Sequence, residues 1–171
     1  MEDKPIKIIH IISSLEKGGA QGLMFEIIKS LEKPKYEHLI ISLKTGNAYA
    51  SITASKSINL ISLNLSAYSL LSSFKKILKT VKEFKPTVIQ SWMYHADFLT
   101  IILKPLLRNI KIIWSFHHAH PKKNKRSSIF IAKFCSHFSS FIPDAIIACS
   151  DLTMREHIDF GYSANKIIVI N

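Results

Sequence analysis

With 171 residues, 47% of them hydrophobic and 20% charged, the chain has the size and composition of a single globular domain rather than of a disordered segment. No apolar run reaches the roughly 18 residues that a membrane-spanning helix needs, because Lys104, Lys133 and similar charges interrupt each candidate. A formal charge of +11 favours anionic partners, whether nucleic acid, an acidic bilayer surface or phosphorylated small molecules, without choosing among them.

The opening MEDKPIK is charged and runs straight into a strand, unlike a signal peptide, so a cytoplasmic protein is expected. Cys135 and Cys149 lack C-x-x-C spacing and suit a reducing compartment, where they pack as small apolar residues. Ile8 to Ile12 is an apolar, β-branched run of strand length that breaks at Ser13 and Ser14. A short polar turn leads to Gly18 and Gly19, after which Ala20, Leu23, Met24, Ile27, Ile28 and Leu31 recur at helical spacing. A strand thus feeds a glycine loop that opens a helix. Unpaired backbone N–H groups and a positive dipole end meet there, which suits a phosphate. The alternative is that the two glycines only turn the chain.

The second strand spans His38 to Leu43 and ends at Thr45, Gly46 and Asn47; a short third spans Asn59 to Leu65. Leu70, Leu71, Phe74, Ile77, Leu78, Val81 and Phe84 then define one face of an amphipathic helix, with Lys75, Lys76, Lys79 and Lys82 opposite or beside it. Those lysines are a solvated face, or they also meet a membrane surface. Pro86 ends that helix, Thr87 to Ser91 is the fourth strand, and Ala96 to Leu107 is a helix. That helix turns Phe98, Leu99, Ile102, Leu103 and Leu106 inward, with Pro105 weakening its last turn. Ile110 to Phe116 is the fifth strand, and a polar loop runs from His117 to Ser128. The next helix carries Phe130, Phe134, Phe138 and Phe141. Ala145 to Cys149 is the sixth strand, Ser150 caps a helix that stops at Gly161, and Lys166 to Ile170 is the last strand.

Seven apolar strands alternating with helices describe an open doubly wound, Rossmann-like α/β domain over residues 1–171. Its sheet is mostly parallel, with helices on both faces. Ligands in such sheets bind beyond the carboxyl ends of the strands. GGAQG lacks the G-x-G-x-x-G spacing, and Lys44 stands where a dinucleotide fold needs an acid at the end of the second strand. No G-x-x-x-x-G-K-[ST] occurs either. SWMYHAD, Ser91 to Asp97, puts Tyr94, His95 and Asp97 at a strand end, where they hydrogen-bond a polyhydroxylated ligand, or His95 and Asp97 simply cap the following helix. His117, His118 and His120 form an H-H-x-H cluster with no acid or cysteine nearby to complete a metal site, so one histidine acting by hydrogen bonds is the better reading. Lys122, Lys123, Lys125 and Arg126 make a solvated loop or an anion patch. No aromatic interleaves with them, which counts against nucleic acid.

Together these segments resemble the amino-terminal half of a GT-B glycosyltransferase of family 4, a retaining group. GGAQG resembles the family's G-G-A-E with Gln21 for Glu. SWMYHAD resembles S-H-M-Y-H-A-N with Trp92 for the first histidine, and WSFHH resembles its T-x-H segment with His117 at the histidine. The stretch ACSDLTMREHIDFGYSANKIIVIN is similar to the family's last amino-domain motif. The resemblance implies metal-independent transfer of a sugar from a nucleotide-sugar donor to a hydroxyl acceptor, with retention. Cell-envelope or surface polysaccharide synthesis, at the inner face of the membrane, is the implied setting.

By the same resemblance, Gly18, Gly19, Ala20 and Gln21 approach the donor diphosphate and sugar, and His117 contacts the transferred sugar as the catalytic residue. Tyr94, His95, Asp97 and His118 line the acceptor side. The family's nucleotide-binding second domain, with its E-x7-E motif, lies beyond Asn171, so an excised domain, a truncated product or half of a split enzyme is expected, with little activity alone. The competing reading is a non-catalytic partner subunit of a split enzyme.

Overall fold

Isoleucine dominates the strand-length runs, and side chains branched at Cβ fit a pleated surface better than a helix. In the computed structural model, which describes residues 4–31, 34–46, 58–107, 109–117 and 126–170, these runs form seven strands. They are β1 (Ile6–Ile12), β2 (Tyr36–Ser42), β3 (Asn59–Ser62), β4 (Val88–Trp92), β5 (Lys111–Phe116), β6 (Ala145–Ala148) and β7 (Ile167–Val169). The described helices are α1 (Gly19–Ser30), α2 (Leu70–Phe84), α3 (Tyr94–Leu103), α4 (Arg126–Phe138) and α5 (Asp151–Phe160). The strands form one parallel sheet in the order β3-β2-β1-β4-β5-β6-β7, the doubly wound α/β arrangement expected. The chain divides into two compact units, residues 1–89 and 90–171.

In the first unit β1 lies parallel to β2, with Ile9 opposite Leu39 and Ile11 opposite Ile41. Ile9, Ile11 and Ile12 are all fully buried, as a strand covered on both faces requires. Helix α1 buries Ala20, Met24, Phe25 and Ile28. Phe25 escaped the periodic reading, and Leu23, included in it, faces solvent. Helix α2 corrects its predicted face: Ser73, Ile77, Thr80 and Val81 are buried, whereas Leu70 and Leu71 are exposed. The inward stripe is narrower than the apolar pattern and borrows two hydroxyl residues. Inside this unit His10 Nε2 lies 3.0 Å from His38 Nδ1, and His38 Nε2 donates to the Leu31 carbonyl at 2.8 Å.

The second unit is built around Trp114, Phe116, Ile112, Cys135, Ile146 and Tyr162. β5, β6 and β7 run parallel, with Trp114 opposite Ile146 and Ile147 opposite Ile168. Helix α3 starts at Tyr94, two residues before its predicted start, and after Leu103 tightens into a 3-10 turn containing Pro105. Of its expected inward residues Leu103 is buried, but Ile102 and Leu106 are exposed. Helix α4 begins at Arg126, so the loop predicted to reach Ser128 is shorter by one helical turn. Helix α5 has the expected ends. The Thr153 amide donates to Ser150 Oγ at 3.1 Å, and Gly161 sits at φ 109°, a left-handed stop that suits glycine.

Candidate functional site

The loop between β1 and α1 is held by backbone and by one side chain. The Leu43 amide donates to the Ile12 carbonyl (2.9 Å) and the Lys44 amide to the Ser13 carbonyl (3.1 Å), extending the β1–β2 ladder past both strand ends. Beyond them Gly46 packs flush on the loop: a Cβ there would lie 3.0–3.1 Å from backbone atoms of Leu15 and Glu16. Gly18 is the N-cap of α1 in extended conformation, with no side chain to cap the first amides. Gln21, three residues on, is buried, and its Nε2 donates to the Ser14 carbonyl at 3.0 Å. A glutamate, acceptor only, could not make that bond. A Cβ on Gly18 would come within 2.6 Å of Gln21 Oε1, while a Cβ on Gly19 would meet nothing within 4 Å. Gly18 therefore accommodates Gln21, and among the described residues nothing fills the space a Gly19 side chain would enter. Ser13 Oγ, shielded from solvent at the end of β1, has no hydrogen-bond partner among the described residues; the sequence marked Ser13 only as the break after the strand.

In the second unit the end of β4 is strained. Met93, the N-cap of α3, has φ 76° and ψ 154°, a region nearly reserved for glycine. Its carbonyl receives the amides of Ala96 (2.9 Å) and Asp97 (3.1 Å). Around it lies a buried polar network. Ser91 Oγ is 2.5 Å from Asp97 Oδ1, Gln90 Nε2 donates to Ser115 Oγ (2.8 Å), and Trp114 Nε1 donates to Thr100 Oγ1 (2.8 Å). Tyr94 Oη lies 2.8 Å from His157 Nε2, and His157 Nδ1 donates to the Thr153 carbonyl (2.7 Å). Because a carbonyl only accepts, His157 carries a proton on Nδ1, and in the neutral imidazole Nε2 accepts from Tyr94 Oη.

This network corrects two expectations. Tyr94 and Asp97 do not present polar atoms to a sugar: both side chains are buried, with Tyr94 Oη against His157 and Asp97 Oδ1 against Ser91, while Asp97 Oδ2 is shielded from solvent with no hydrogen-bond partner among the described residues. Nor does Asp97 act as a cap, since α3 has no side-chain cap. Burial holds the Asp97 carboxyl well above the usual carboxylate range, the Ser91 hydroxyl opposing it only in part. Ser91 Oγ donates to Asp97 Oδ1, with the Ile113 carbonyl a more distant acceptor for the same hydroxyl at 3.4 Å. Burial likewise pushes the hydroxyls of Tyr94 and Tyr162 and the thiol of Cys135 upward, so none ionises near neutrality. His157, the partner that locks Tyr94, was not singled out by the sequence.

His95 is exposed on the first turn of α3. His117 directly follows β5 and stacks on the fully buried Trp92, ring centroids 4.7 Å apart and planes 21° apart. Trp92 is the residue that stands where the resembling motif has histidine. Arg126 is exposed at the start of α4, while His118, Lys122, Lys123, Lys125 and Asn47 lie outside the described residues. Among the described residues no three His, Cys, Asp or Glu side chains are grouped to hold a metal ion, and no helix is long and apolar enough to cross a membrane.

A sequence model described as Glycosyltransferase Family 4 matches residues 17–171. The chain belongs to glycosyltransferase family 4. No curated protein matches it. Among solved structures, Anabaena Alr3699/HepE in complex with UDP superposes with a TM-score of 0.79 at 18% identity, covering 96% of this chain and 43% of that one. A glycosyltransferase from Rickettsia africae ESF-5 gives 0.71 at 17% identity, over 98% and 43%. UDP-GlcNAc 2-epimerase from Methanocaldococcus jannaschii gives 0.67 at 16%, over 96% and 45%. Such low identities speak for the fold alone, and the epimerase among them shows that this fold serves more than one chemistry. The family 4 chain spans less than half the length of each of these structures. Its fold is that of an amino-terminal GT-B domain.

Proposed function

We propose that this family 4 chain is the acceptor-side domain of an enzyme that transfers a sugar from a nucleotide-sugar to a hydroxyl acceptor, with retention and without a metal ion. The observation that carries the reading is the family match over residues 17–171, which includes the glycine loop. In the transition state positive charge spreads over the sugar while negative charge builds on the departing diphosphate. The uncapped amides at the start of α1, with no acidic residue in its first turn, suit that second charge. Gly18, Gly19, Ala20 and Gln21 form the diphosphate loop in this reading, and His117 hydrogen-bonds the transferred sugar. His95 and His118 serve the acceptor side, a role that burial denies to Tyr94 and Asp97.

A second, donor-binding domain, in cis or in trans, holds the nucleotide. The acceptor belongs to cell-envelope or surface polysaccharide synthesis at an anionic cytoplasmic membrane face, with Lys122, Lys123, Lys125 and Arg126 on that side. The test is sugar transfer from UDP-sugars by the 171-residue chain, alone and mixed with a family donor domain. Weak nucleotide-sugar binding alone, turnover on mixing, and loss of turnover in His117→Ala are expected. Turnover by the chain alone, or turnover unaffected by His117→Ala, overturns the assignment.

A further inference from the structure

No pattern in the sequence singles out His157, yet its side chain reaches the ends of both strands that hold His117. It is fully buried on α5, and its Nδ1 donates to the Thr153 carbonyl at 2.7 Å, which fixes the ring to its own helix. Its Nε2 accepts from Tyr94 Oη at 2.8 Å. Its ring lies face to face on Phe116, with centroids 3.9 Å apart and planes 12° apart. Phe116 is the last residue of β5 and stands directly before His117.

Tyr94 leads to His117 by the other strand. It follows Met93, whose φ of 76° costs a residue with a side chain about 1–3 kcal/mol. Such a backbone persists only where its surroundings pin it. Before Met93, Trp92 is fully buried; after it, Tyr94 is buried and tied by its hydroxyl to His157. Trp92 is in turn the ring on which His117 stacks. His157 thus holds Tyr94, the strained turn holds Trp92 against His117, and Phe116 anchors the backbone just ahead of His117.

A buried histidine with satisfied nitrogens is often structure and nothing more. Packing alone, however, is served by a leucine or phenylalanine, which have no polar atoms to desolvate. What the imidazole adds is direction: an acceptor aimed at Tyr94 and a donor aimed at Thr153 from one rigid ring. Both of the neighbours it fixes lead to the same second imidazole.

We propose that His157 is a positioning residue for His117: through the Tyr94 hydroxyl and the Phe116 ring it sets the ends of β4 and β5 so that the His117 imidazole keeps one orientation. The proposal rests on the transfer reading above, in which His117 hydrogen-bonds the sugar, and names what keeps that ring in place. The test compares Tyr94→Phe and His157→Leu with Tyr162→Phe. That control removes another buried tyrosine hydroxyl, the donor to the Ala132 carbonyl at 3.0 Å, from the same aromatic cluster. The His117 ring protons, assigned by their absence in His117→Ala, are followed by NMR in the 171-residue chain alone. Values of kcat and KM for sugar transfer are then measured on mixing with a family donor domain.

The His117 signals are expected to move toward those of an unstacked ring in Tyr94→Phe and His157→Leu, and to stay in place in Tyr162→Phe. In the first two kcat should fall about tenfold or more, with KM within about twofold, because misplacing a contact by about 1 Å acts on the transition state. His157→Gln keeps an acceptor for Tyr94 and a donor for Thr153, and should retain more of kcat than His157→Leu. Melting curves show whether each variant folds, and Tyr94→Phe, which keeps its ring, decides the matter if His157→Leu does not. Unmoved His117 signals in Tyr94→Phe overturn the proposal, as does an equal response to Tyr162→Phe or an unchanged kcat. Moved signals with no transfer even by wild type uphold the positioning of the imidazole and sink the transferase reading, so the two failures are told apart.

Discussion

Trp92 lies nearly flat against His117, with ring centroids 4.7 Å apart and planes 21° apart. The indole is fully buried, so it acts as a fixed wall that sets the orientation of the imidazole. Trp92→Phe keeps a flat ring and is expected to preserve the upfield ring-current shifts of the His117 protons in NMR spectra. Trp92→Leu removes the wall, is expected to abolish those shifts, and costs about 3 kcal/mol of stability through the cavity it leaves. Unchanged His117 shifts in Trp92→Leu would show that the stack does not exist in solution.

The His10–His38 pair predicts sensitivity to acid. Burial lowers the His38 pKa, the hydrogen bond to the Leu31 carbonyl opposing it in part. The unfolded chain therefore takes up a proton near its ordinary value of about 6.5 while the folded chain resists. Stability falls as pH drops below that value and stops falling once the lower folded pKa is passed. His38→Gln cannot titrate, and its melting temperature should decline less across this window than that of wild type. A parallel decline in both proteins would assign the acid response to other groups.

Two glycines separate a packing role from an open one. Gly46→Ala drives a methyl to 3.0–3.1 Å from the backbone of Leu15 and Glu16, atoms that cannot swing aside, and is expected to cost about 1–3 kcal/mol in denaturant unfolding. Gly19→Ala meets nothing within 4 Å and should leave stability unchanged or raise it by up to about 1 kcal/mol, as alanine favours helix. If the loop receives a diphosphate, that same methyl weakens nucleotide-sugar binding without destabilising the fold. Equal effects of the two substitutions on stability would contradict the geometry of the loop.

These contrasts show where the sequence was legible. All seven strands could be placed because β-branched runs bounded by glycine, proline and serine carry their own signal, and Ser150 and Gly161 mark the ends of α5 by local chemistry alone. Apolar spacing does not reveal which of two stripes finds a partner. Leu70 and Leu71 therefore turned out exposed, and α4 hides Ala132 and Cys135 while displaying its phenylalanines. Tyr94 and Asp97 looked like ligand contacts because polar residues at a strand end usually face solvent. Their actual partners, His157 and Ser91, come from a distant helix and from inside the strand, pairings that no local pattern encodes.

The Asp97–Ser91 pair gives a pH response of opposite sign to that of His38. Asp97 has a folded pKa raised by burial, so the folded chain keeps a proton that the unfolded chain releases near its ordinary carboxylate value. Its contribution is complete below that value and is lost as pH rises toward the folded pKa. Asp97→Asn presents a neutral amide whose oxygen accepts from Ser91 Oγ at every pH. It should match wild type in mild acid and exceed it progressively as pH rises. Ser91→Ala removes the hydroxyl that donates to the carboxyl and should destabilise by about 1–3 kcal/mol. Chemical denaturation of the three proteins across pH decides it. An Asp97→Asn protein less stable than wild type at neutral pH would mean that the carboxyl is ionised there.

Gln21 tests the glycine loop itself. Its amide donates to the Ser14 carbonyl at 3.0 Å, and Gln21→Glu replaces that donor with an acceptor facing another acceptor. The new charge gains a few tenths to about 1 kcal/mol from the positive end of α1. Losing the bond to a part-buried carbonyl costs about 1–3 kcal/mol. The second effect is the larger, so net destabilisation is expected, with faster amide hydrogen exchange in residues 13–19. The carboxylate also cancels part of the positive potential at the helix start, so binding of inorganic pyrophosphate or a nucleoside diphosphate should weaken beyond what the loss of stability explains. If Gln21→Glu binds these anions as well as wild type, the start of α1 is not where they bind.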